Sequence, residues 1–285
     1  MIIVDYSNVL IKAVFTQGVE TDKIENLRAL ILSQFKSLKM KFSSDYGRFV
    51  VALDGQKNWR KKTFEHYKYR RKIGRAESPL DWGAIFAMSS EIIEEFRQYL
   101  PYQFLKVNIC EADDIIGYMA ANSTEKTLVC SSDKDFIQLL QFPHVDWYSL
   151  HHKKLMTCED PLVWLEEQII RGQKKDDIPN ILSAEDHFVN SPDKRQKVIS
   201  AKFLAQCLTS EPEKFCPDKE TLDRYNMNRI LLDLTAQPEH VITAIQEAIE
   251  EPYLQNNHKI YKFFSLKKLK LFMRSNLSAF CEDFT

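Results

Sequence analysis

The sequence predicts an α/β fold: a mainly parallel central sheet flanked by helices, followed by an α-helical region. Three observations carry this reading. Four short β-rich runs lie in the first half (residues 1–5, 48–53, 104–109 and 127–131), segments of helical periodicity separate them, and from about residue 160 the pattern is almost wholly helical. Strands alternating with helices need crossover connections, and crossovers lay strands parallel.

Taken in order, the first run is Ile2-Ile3-Val4-Asp5, too short and too apolar for anything but a buried strand. Ile24, Leu27, Leu30, Ile31, Phe35 and Leu38 then recur at three-to-four-residue spacing, one face of a helix. Ile85, Ser89, Ile92, Ile93, Phe96 and Leu100 repeat the pattern. That second helix is expected to start at Ser78 as N-cap, with Pro79 at its first position and Asp81 three after the cap. Further helices are expected over 161–171, 195–208, 219–235, 238–251 and 260–273, with polar connectors such as 183–194 and 209–219. A length of 285 residues corresponds to about two units of ~150. The expected division is an α/β core over 1–160, including a basic segment at 57–80, and a helical region over 161–285.

Composition excludes several classes. With 44% hydrophobic and 28% charged residues, disorder is not the main state. The seven glycines form no Gly-x-Gly, no Gly-Lys-Ser/Thr and no Gly-x-Ser-x-Gly, so a dinucleotide fingerprint, a phosphate-binding loop and a serine-hydrolase elbow are all missing. Any phosphate chemistry must rest on metals or cationic side chains. The six cysteines form no CxxC pair, which argues against a zinc knuckle or disulfide scaffold and for reduced thiols. No basic leader and no apolar run of ~18 residues is visible. A cytoplasmic chain without membrane contact is expected.

The net charge of −1 conceals a separation. Residues 57–75 hold nine Lys/Arg (Lys57, Arg60, Lys61, Lys62, Lys68, Arg70, Arg71, Lys72, Arg75) against Glu65, so this segment is +8 and the rest of the chain −9. Like charges packed this closely repel unless a polyanion absorbs them. Trp59, Phe64, Tyr67 and Tyr69 interleave with the cations, the combination that holds single strands by stacking beside backbone contacts. A second run (Lys259, Lys262, Lys267, Lys268, Lys270, Arg274) suits a nucleic-acid surface or a packed helix equally well.

The acids are the most informative feature. Asp5 ends the first strand, Asp54 the second; Glu111, Asp113 and Asp114 follow the third, Asp133 and Asp135 the fourth. In an open parallel sheet the carboxyl ends of the strands share one edge, where ligands bind. A lone Asp after a strand is usually a cap or turn former, and Asp114 and Asp135 could serve only as such. Four successive strand ends each delivering an acid is a different matter. Two carboxylates 4 Å apart repel by about 4 kcal/mol at an effective dielectric of 20, so the cluster requires protons or cations. Oxygen-only ligands select Mg²⁺ or Mn²⁺ over zinc. After a helix ending near Gly172, Lys174-Lys175-Asp176-Asp177 offers further acids.

The order Asp5, Asp54, Glu111-Ala112-Asp113-Asp114, Ser132-Asp133-Lys134-Asp135-Phe136 and Gly172-x-x-x-Asp176 resembles the flap endonuclease/5′→3′ exonuclease superfamily, and within it the ribonucleases H of T-even-type bacteriophages. Supporting segments are Trp59-Arg60, Tyr67-Lys68-x-x-Arg71, Asp81-Trp82, Leu100-Pro101-Tyr102, His152-Lys153-Lys154 and Lys259-Ile260-Tyr261. The resemblance implies a PIN-like core with a basic helical arch, two Mg²⁺ (or Mn²⁺) per site and cleavage of phosphodiesters from 5′ ends. It implies Asp5, Asp54, Glu111 and Asp113 around the first metal, and Asp133, Asp135 and Asp176 at the second with Asp114 assisting. Lys68 and Arg71, with Asp113 and Asp135, would carry catalysis. Trp59, Arg60, Lys61, Lys62, Tyr67, Lys68, Arg70, Arg71, Lys72, Lys174 and Lys175 would contact DNA or RNA–DNA hybrid at 5′ ends, flaps and forks. Further implications are RNA-primer removal in phage replication by a monomer, beside a single-strand-binding protein and a sliding clamp. The family's Gly-x-Gly turn after the last acid is replaced here by Ile178-Pro179-Asn180-Ile181-Leu182.

Three other classes compete. A haloacid-dehalogenase-like phosphatase needs an acid two residues after the first Asp, where Ser7 stands. A PIN-type endoribonuclease shares the acids but not the long basic segment and helical region. A non-catalytic nucleic-acid-binding subunit would not need every carboxylate intact.

Overall fold

In a computed structural model, residues 1–17, 23–191, 194–254, 257–269 and 277–281 are described. β1 (Ile2–Asp5) runs into α1 (Tyr6–Gln17), and α2 (Ile24–Tyr46) returns the chain to β2 (Phe49–Leu53). The basic segment forms α3 (Trp59–Thr63) and α4 (Tyr69–Ala76); α5 (Trp82–Tyr99) leads to β3 (Gln103–Lys106) and α6 (Ala112–Asn122) to β4 (Thr127–Cys130). After a 3-10 turn (Lys134–Gln141) comes a hairpin of β5 (Val145–Ser149) and β6 (Lys154–Met156). The helical region follows as α7 (Pro161–Arg171), α8 (His187–Asn190), α9 (Ala201–Cys207), α10 (Pro212–Phe215), α11 (Lys219–Leu232), α12 (Glu239–Glu250) and α13 (His258–Leu266).

The six strands form one sheet in the order β3-β2-β1-β4-β5-β6, parallel except for β6. β1 is central and buried on both faces, as an apolar parallel strand must be. Side chains alternate across it. Ile2 and Val4 face a core closed by α2, α5 and α13, whereas Ile3 packs with α6 and α12. A third core joins α7, α9, α10 and α11 to Phe64 and Tyr67 of the basic segment.

Side chains of the sheet half also grip the main chain at 231–234. Arg60 Nε donates to Leu231 O (2.8 Å), and Gln138 donates to Leu232 O (3.0 Å) while accepting from Leu234 N (2.8 Å). Gln237 Nε2 in turn donates to Asp114 O (3.0 Å).

The mainly parallel sheet and helical second half are as expected, with local differences. α5 starts at Trp82, because Asp81, not Ser78, accepts from Ala84 N (2.9 Å); Ser78 caps only a turn, accepting from Leu80 N. The β5–β6 hairpin was not anticipated. The helix expected over 195–208 occupies only Ala201–Cys207, capped by Ser200. The C-terminal basic run resolves as a packed helix: Ile260, Phe263 and Phe264 are buried, and Lys267 pairs with Glu95. Lys270, Arg274 and the end of the expected helix 260–273 lie outside the described residues. No described helix is long and apolar enough to cross a membrane.

Candidate active site

The carboxyl edge of the sheet opens into a crevice of about 500 Å³ walled by Asp5, Asp54, Glu111, Asp113, Asp133 and Asp176. Each acid is fixed by local structure. Asp5 ends β1; its oxygens accept from Asn8 N (3.1 Å) and Ser131 Oγ (2.7 Å). Asp54, just past β2, accepts from Ala112 N (2.9 Å) and Ser7 Oγ (2.5 Å). Glu111 caps α6, so Asp113 falls in that helix's first turn and faces the crevice. Asp133 caps the 3-10 turn, accepting from Asp135 N (3.1 Å). Asp176 is presented by a tight loop after α7, where Gly172 has φ +64 and a side chain would collide with Ile178 O at 2.4 Å. Only glycine fits that position.

Three cations of the chain enter the cluster. Lys68 Nζ donates to Glu111 Oε1 (2.6 Å), Arg71 Nη2 to Asp176 Oδ1 (2.7 Å), and Lys175 Nζ to Asp133 Oδ1 (2.6 Å), with Asp135 Oδ2 at 3.0 Å. Asp135 does not line the crevice; besides Lys175 it accepts from Gln173 Nε2 (2.8 Å). Counting Asp135, and with Arg75 as a further cation in the crevice lining, seven carboxylates face four cations, a formal charge of −3.

Electrostatics divides the acids into two groups. Burial, with the Asp54 charge adding, pushes Asp5 up to about 7 against the pull of Ser131. Burial, then the charges of Asp5 and Asp133, push Asp113 well above the carboxylate range. Burial and Asp133 raise Asp135 as well. For Glu111 burial acts upward too, but Lys68 and Arg60 outweigh it and hold the carboxyl down to about 2; Lys175 outweighs burial likewise at Asp133. A crevice whose inner acids keep protons for want of positive charge, with oxygen as the only donor atom, fits hard divalent cations. Among the described residues no three of these acids already stand in a metal-ligating group; Glu111, Asp176 and Asp133 are instead paired with Lys68, Arg71 and Lys175.

Several expected site residues lie elsewhere. Asp114, expected at the metal, is 0% exposed. It points inward to Arg60 Nη1 (2.8 Å) and accepts from Glu111 N (3.0 Å) as part of a capping box. Arg60, expected on nucleic acid, is 1% exposed for that reason. Trp59, Phe64 and Tyr67 are buried, so of the four interleaved aromatics only Tyr69 is exposed. Tyr67 instead donates its hydroxyl to Glu111 Oε2 (2.8 Å). Arg70 is tied to Asp177, and Lys175 belongs to the acidic cluster. Lys61, Lys62, Lys72 and Lys174 are exposed and free to meet a polyanion. Sequence reasoning passed over Ser7, Asn8 and Gln173. The signal for the first two was their place directly after the first strand-end acid.

A mainly parallel sheet with acids along its carboxyl edge and a cationic helical segment beside them defines the flap endonuclease fold class. The chain belongs to the 5′→3′ exonuclease family: the profile "5'-3' exonuclease, N-terminal resolvase-like domain" matches residues 1–167. The profile "T4 RNase H, C terminal" matches residues 161–280. Among curated relatives, the Ribonuclease H of Enterobacteria phage T4 is 26% identical over 274 residues, 92% of this chain and 90% of its own. A 5'-3' exonuclease of Buchnera aphidicola subsp. Schizaphis graminum is 26% identical over 195 residues, 64% of this chain and 65% of its own. The structure is similar to a bacteriophage T5 flap endonuclease solved with DNA and metal ions (TM-score 0.61, 16% identity, 96% of this chain and 99% of that one). It is also similar to a T5 5′-exonuclease with bound zinc (TM-score 0.56, 15% identity, 94% and 98%).

Proposed function

We propose that this nuclease is a 5′→3′ exonuclease and flap endonuclease with ribonuclease H activity, dependent on two Mg²⁺ or Mn²⁺ ions. It would remove RNA primers and adjacent DNA from lagging-strand fragments in phage replication. The carrying observation is the negative charge left in the crevice, formally −3 after Lys68, Arg71, Arg75 and Lys175 are counted, which divalent cations would relieve. Asp5, Asp54, Glu111 and Asp113 would hold one ion, and Asp133, Asp135 and Asp176 the other. Held there, such ions would supply activation of an attacking water and stabilisation of the leaving oxygen. Lys68 and Arg71, released from Glu111 and Asp176, then turn to the scissile phosphate, and exposed Lys61, Lys62 and Lys72 hold the strand backbone. The named relatives, a ribonuclease H and a flap endonuclease solved with DNA and metal ions, support this reading. Work as a monomer in the host cytoplasm, beside a single-strand-binding protein and a sliding clamp, belongs to the same proposal.

The test is cleavage of a 5′-labelled primer–template and a 5′-flap duplex with and without Mg²⁺. Asp113→Asn and Asp135→Asn should lower turnover by orders of magnitude and leave binding largely intact, since the cationic surface is unchanged. Cleavage that persists in excess EDTA overturns the proposal.

A further inference from the structure

At the mouth of the acidic crevice, three aromatic side chains stay out of the core. Phe15 of α1 is 66% exposed and Phe86 of α5 39%, while Trp82, at the start of α5, is half-buried and anchored against the sheet's first core. They form one cluster: Trp82 and Phe86 centroids are 5.8 Å apart at 33°, and Phe15 meets Trp82 edge-on at 6.4 Å. All three line the crevice that holds Asp5, Glu111 and Asp133. Single exposed apolar residues need no explanation, but a contiguous group inside a charged cleft does.

Arg75 completes the arrangement. Its guanidinium lies 5.1 Å from the Phe86 ring centre and 5.9 Å from that of Trp82. It stands one helical turn beyond Arg71, at i and i+4 on α4, so both cations can face the same cleft. Arg71 is paired with Asp176; Arg75 has no carboxylate partner among the described residues. Aromatic faces beside an uncommitted cation match a nucleotide, whose base offers a π-face and whose phosphate offers the charge. A purely apolar partner would leave Arg75 unmatched and would meet the acids at the crevice wall.

We infer that Phe15, Trp82, Phe86 and Arg75 form a stacking subsite for one unpaired nucleobase of the strand whose backbone enters the acidic crevice. The inference rests on the nuclease reading for the identity of that strand, and it adds a base-dependent contact to a surface otherwise built for phosphates. The subsite holds a base by its face, so it selects unpaired over paired nucleotides without reading sequence.

The experiment measures binding in EDTA, without cleavage, of a duplex with a 5′ single-stranded overhang. The overhang is either intact or carries one abasic nucleotide at successive unpaired positions. One position should weaken binding by the wild-type protein roughly 5- to 150-fold, the equivalent of about 1–3 kcal/mol per stacked base. Phe15→Ala/Phe86→Ala should bind intact and abasic strands alike. So should Phe15→Leu/Phe86→Leu, which keeps apolar bulk and is checked for an unchanged melting temperature, while Phe86→Tyr keeps the difference. Indifference of the wild type to every abasic position, or a leucine variant that retains the wild-type difference, overturns the subsite. Base-independent binding with intact Mg²⁺-dependent cleavage would overturn the subsite alone. A base-dependent protein that never cleaves would overturn the nuclease reading alone, and absence of binding would overturn both.

Discussion

Replacing Arg60 tests the assignment of that residue to the interior. Arg60 and Asp114 are 1% and 0% exposed and joined at 2.8 Å, and Arg60 Nε also donates to Leu231 O. Arg60→Ala would leave the Asp114 carboxylate buried with only the Glu111 N–H, the situation that costs about 3–5 kcal/mol. At roughly 2–4 °C per kcal/mol for a chain of this size, the melting temperature should fall by about 6–20 °C. Lys61→Ala, one residue on and exposed, should change it little. Removing both charges with Arg60→Met/Asp114→Leu should recover much of the loss, because the native pair is imperfect. Arg60 Nη2 and Asp114 Oδ1 have no hydrogen-bond partner among the described residues. Urea and thermal melts of the three variants, with salt-dependent DNA binding measured alongside, decide the matter. An Arg60→Ala protein as stable as wild type, but with a flatter salt dependence, would return Arg60 to the nucleic-acid surface and refute the reasoning.

The remaining predictions concern charge and the thiols. Asp5 is pushed up to about 7 in the folded chain by burial, so the folded state holds a proton that the unfolded state releases near pH 4. Its contribution is therefore present below pH 4 and lost as pH rises through about 7. In EDTA, melts should show stability falling over that window, and Mg²⁺ should offset the fall; a flat profile with no Mg²⁺ effect contradicts this. Lys68→Ala/Arg71→Ala should slow single-turnover cleavage of a flap substrate while lowering the Mg²⁺ concentration needed, since Glu111 and Asp176 lose their cationic partners; a Mg²⁺ titration unchanged from wild type argues against it. Lys61→Ala/Lys62→Ala should mainly weaken binding and reduce the slope of log affinity against log salt by about 1.4–1.8 if both meet phosphates, and an unchanged slope would remove them from the interface. Cys110 and Cys130 are buried, and burial pushes both thiols up. Replacement of both by Ala should preserve activity apart from a packing penalty, whereas loss of metal binding with the fold intact would make them ligands.

The sequence made the strand-end acids legible because a strand followed by Asp or Glu places its carboxylate at a known edge once the strands are parallel. Asp5, Asp54, Glu111, Asp113 and Asp133 duly share the crevice. The basic segment was less legible because charge alone says nothing of direction. Trp59 and Arg60 begin α3 and turn inward, while Lys61 and Lys62, next along the same helix, turn out. Asp114 misled for a similar reason: one residue beyond Asp113 is about 100° around a helix, enough to change its partner from the crevice to Arg60. The β5–β6 hairpin escaped notice because β5, Val145-Asp146-Trp147-Tyr148-Ser149, lacks a run of apolar residues, and β6 has only three residues.

The grip of Arg60 and Gln138 on residues 231–234 has a consequence for how the two halves can diverge. Every partner there is a main-chain carbonyl or amide: Leu231 O, Leu232 O and Leu234 N. A contact to main chain reads the path of a loop and ignores its letters. The side chains at 231–234 can therefore drift, within the limits of packing, without loosening the joint, provided the loop keeps its course. Arg60 and Gln138 have no such freedom, since each is the only side chain of its contact. A hybrid built by joining this nuclease half to a relative's helical half would need to carry those two residues, preserve the main-chain course at 231–234, and keep the side chains that reach back the other way, Gln237 to Asp114 O and Asp176 to Arg71.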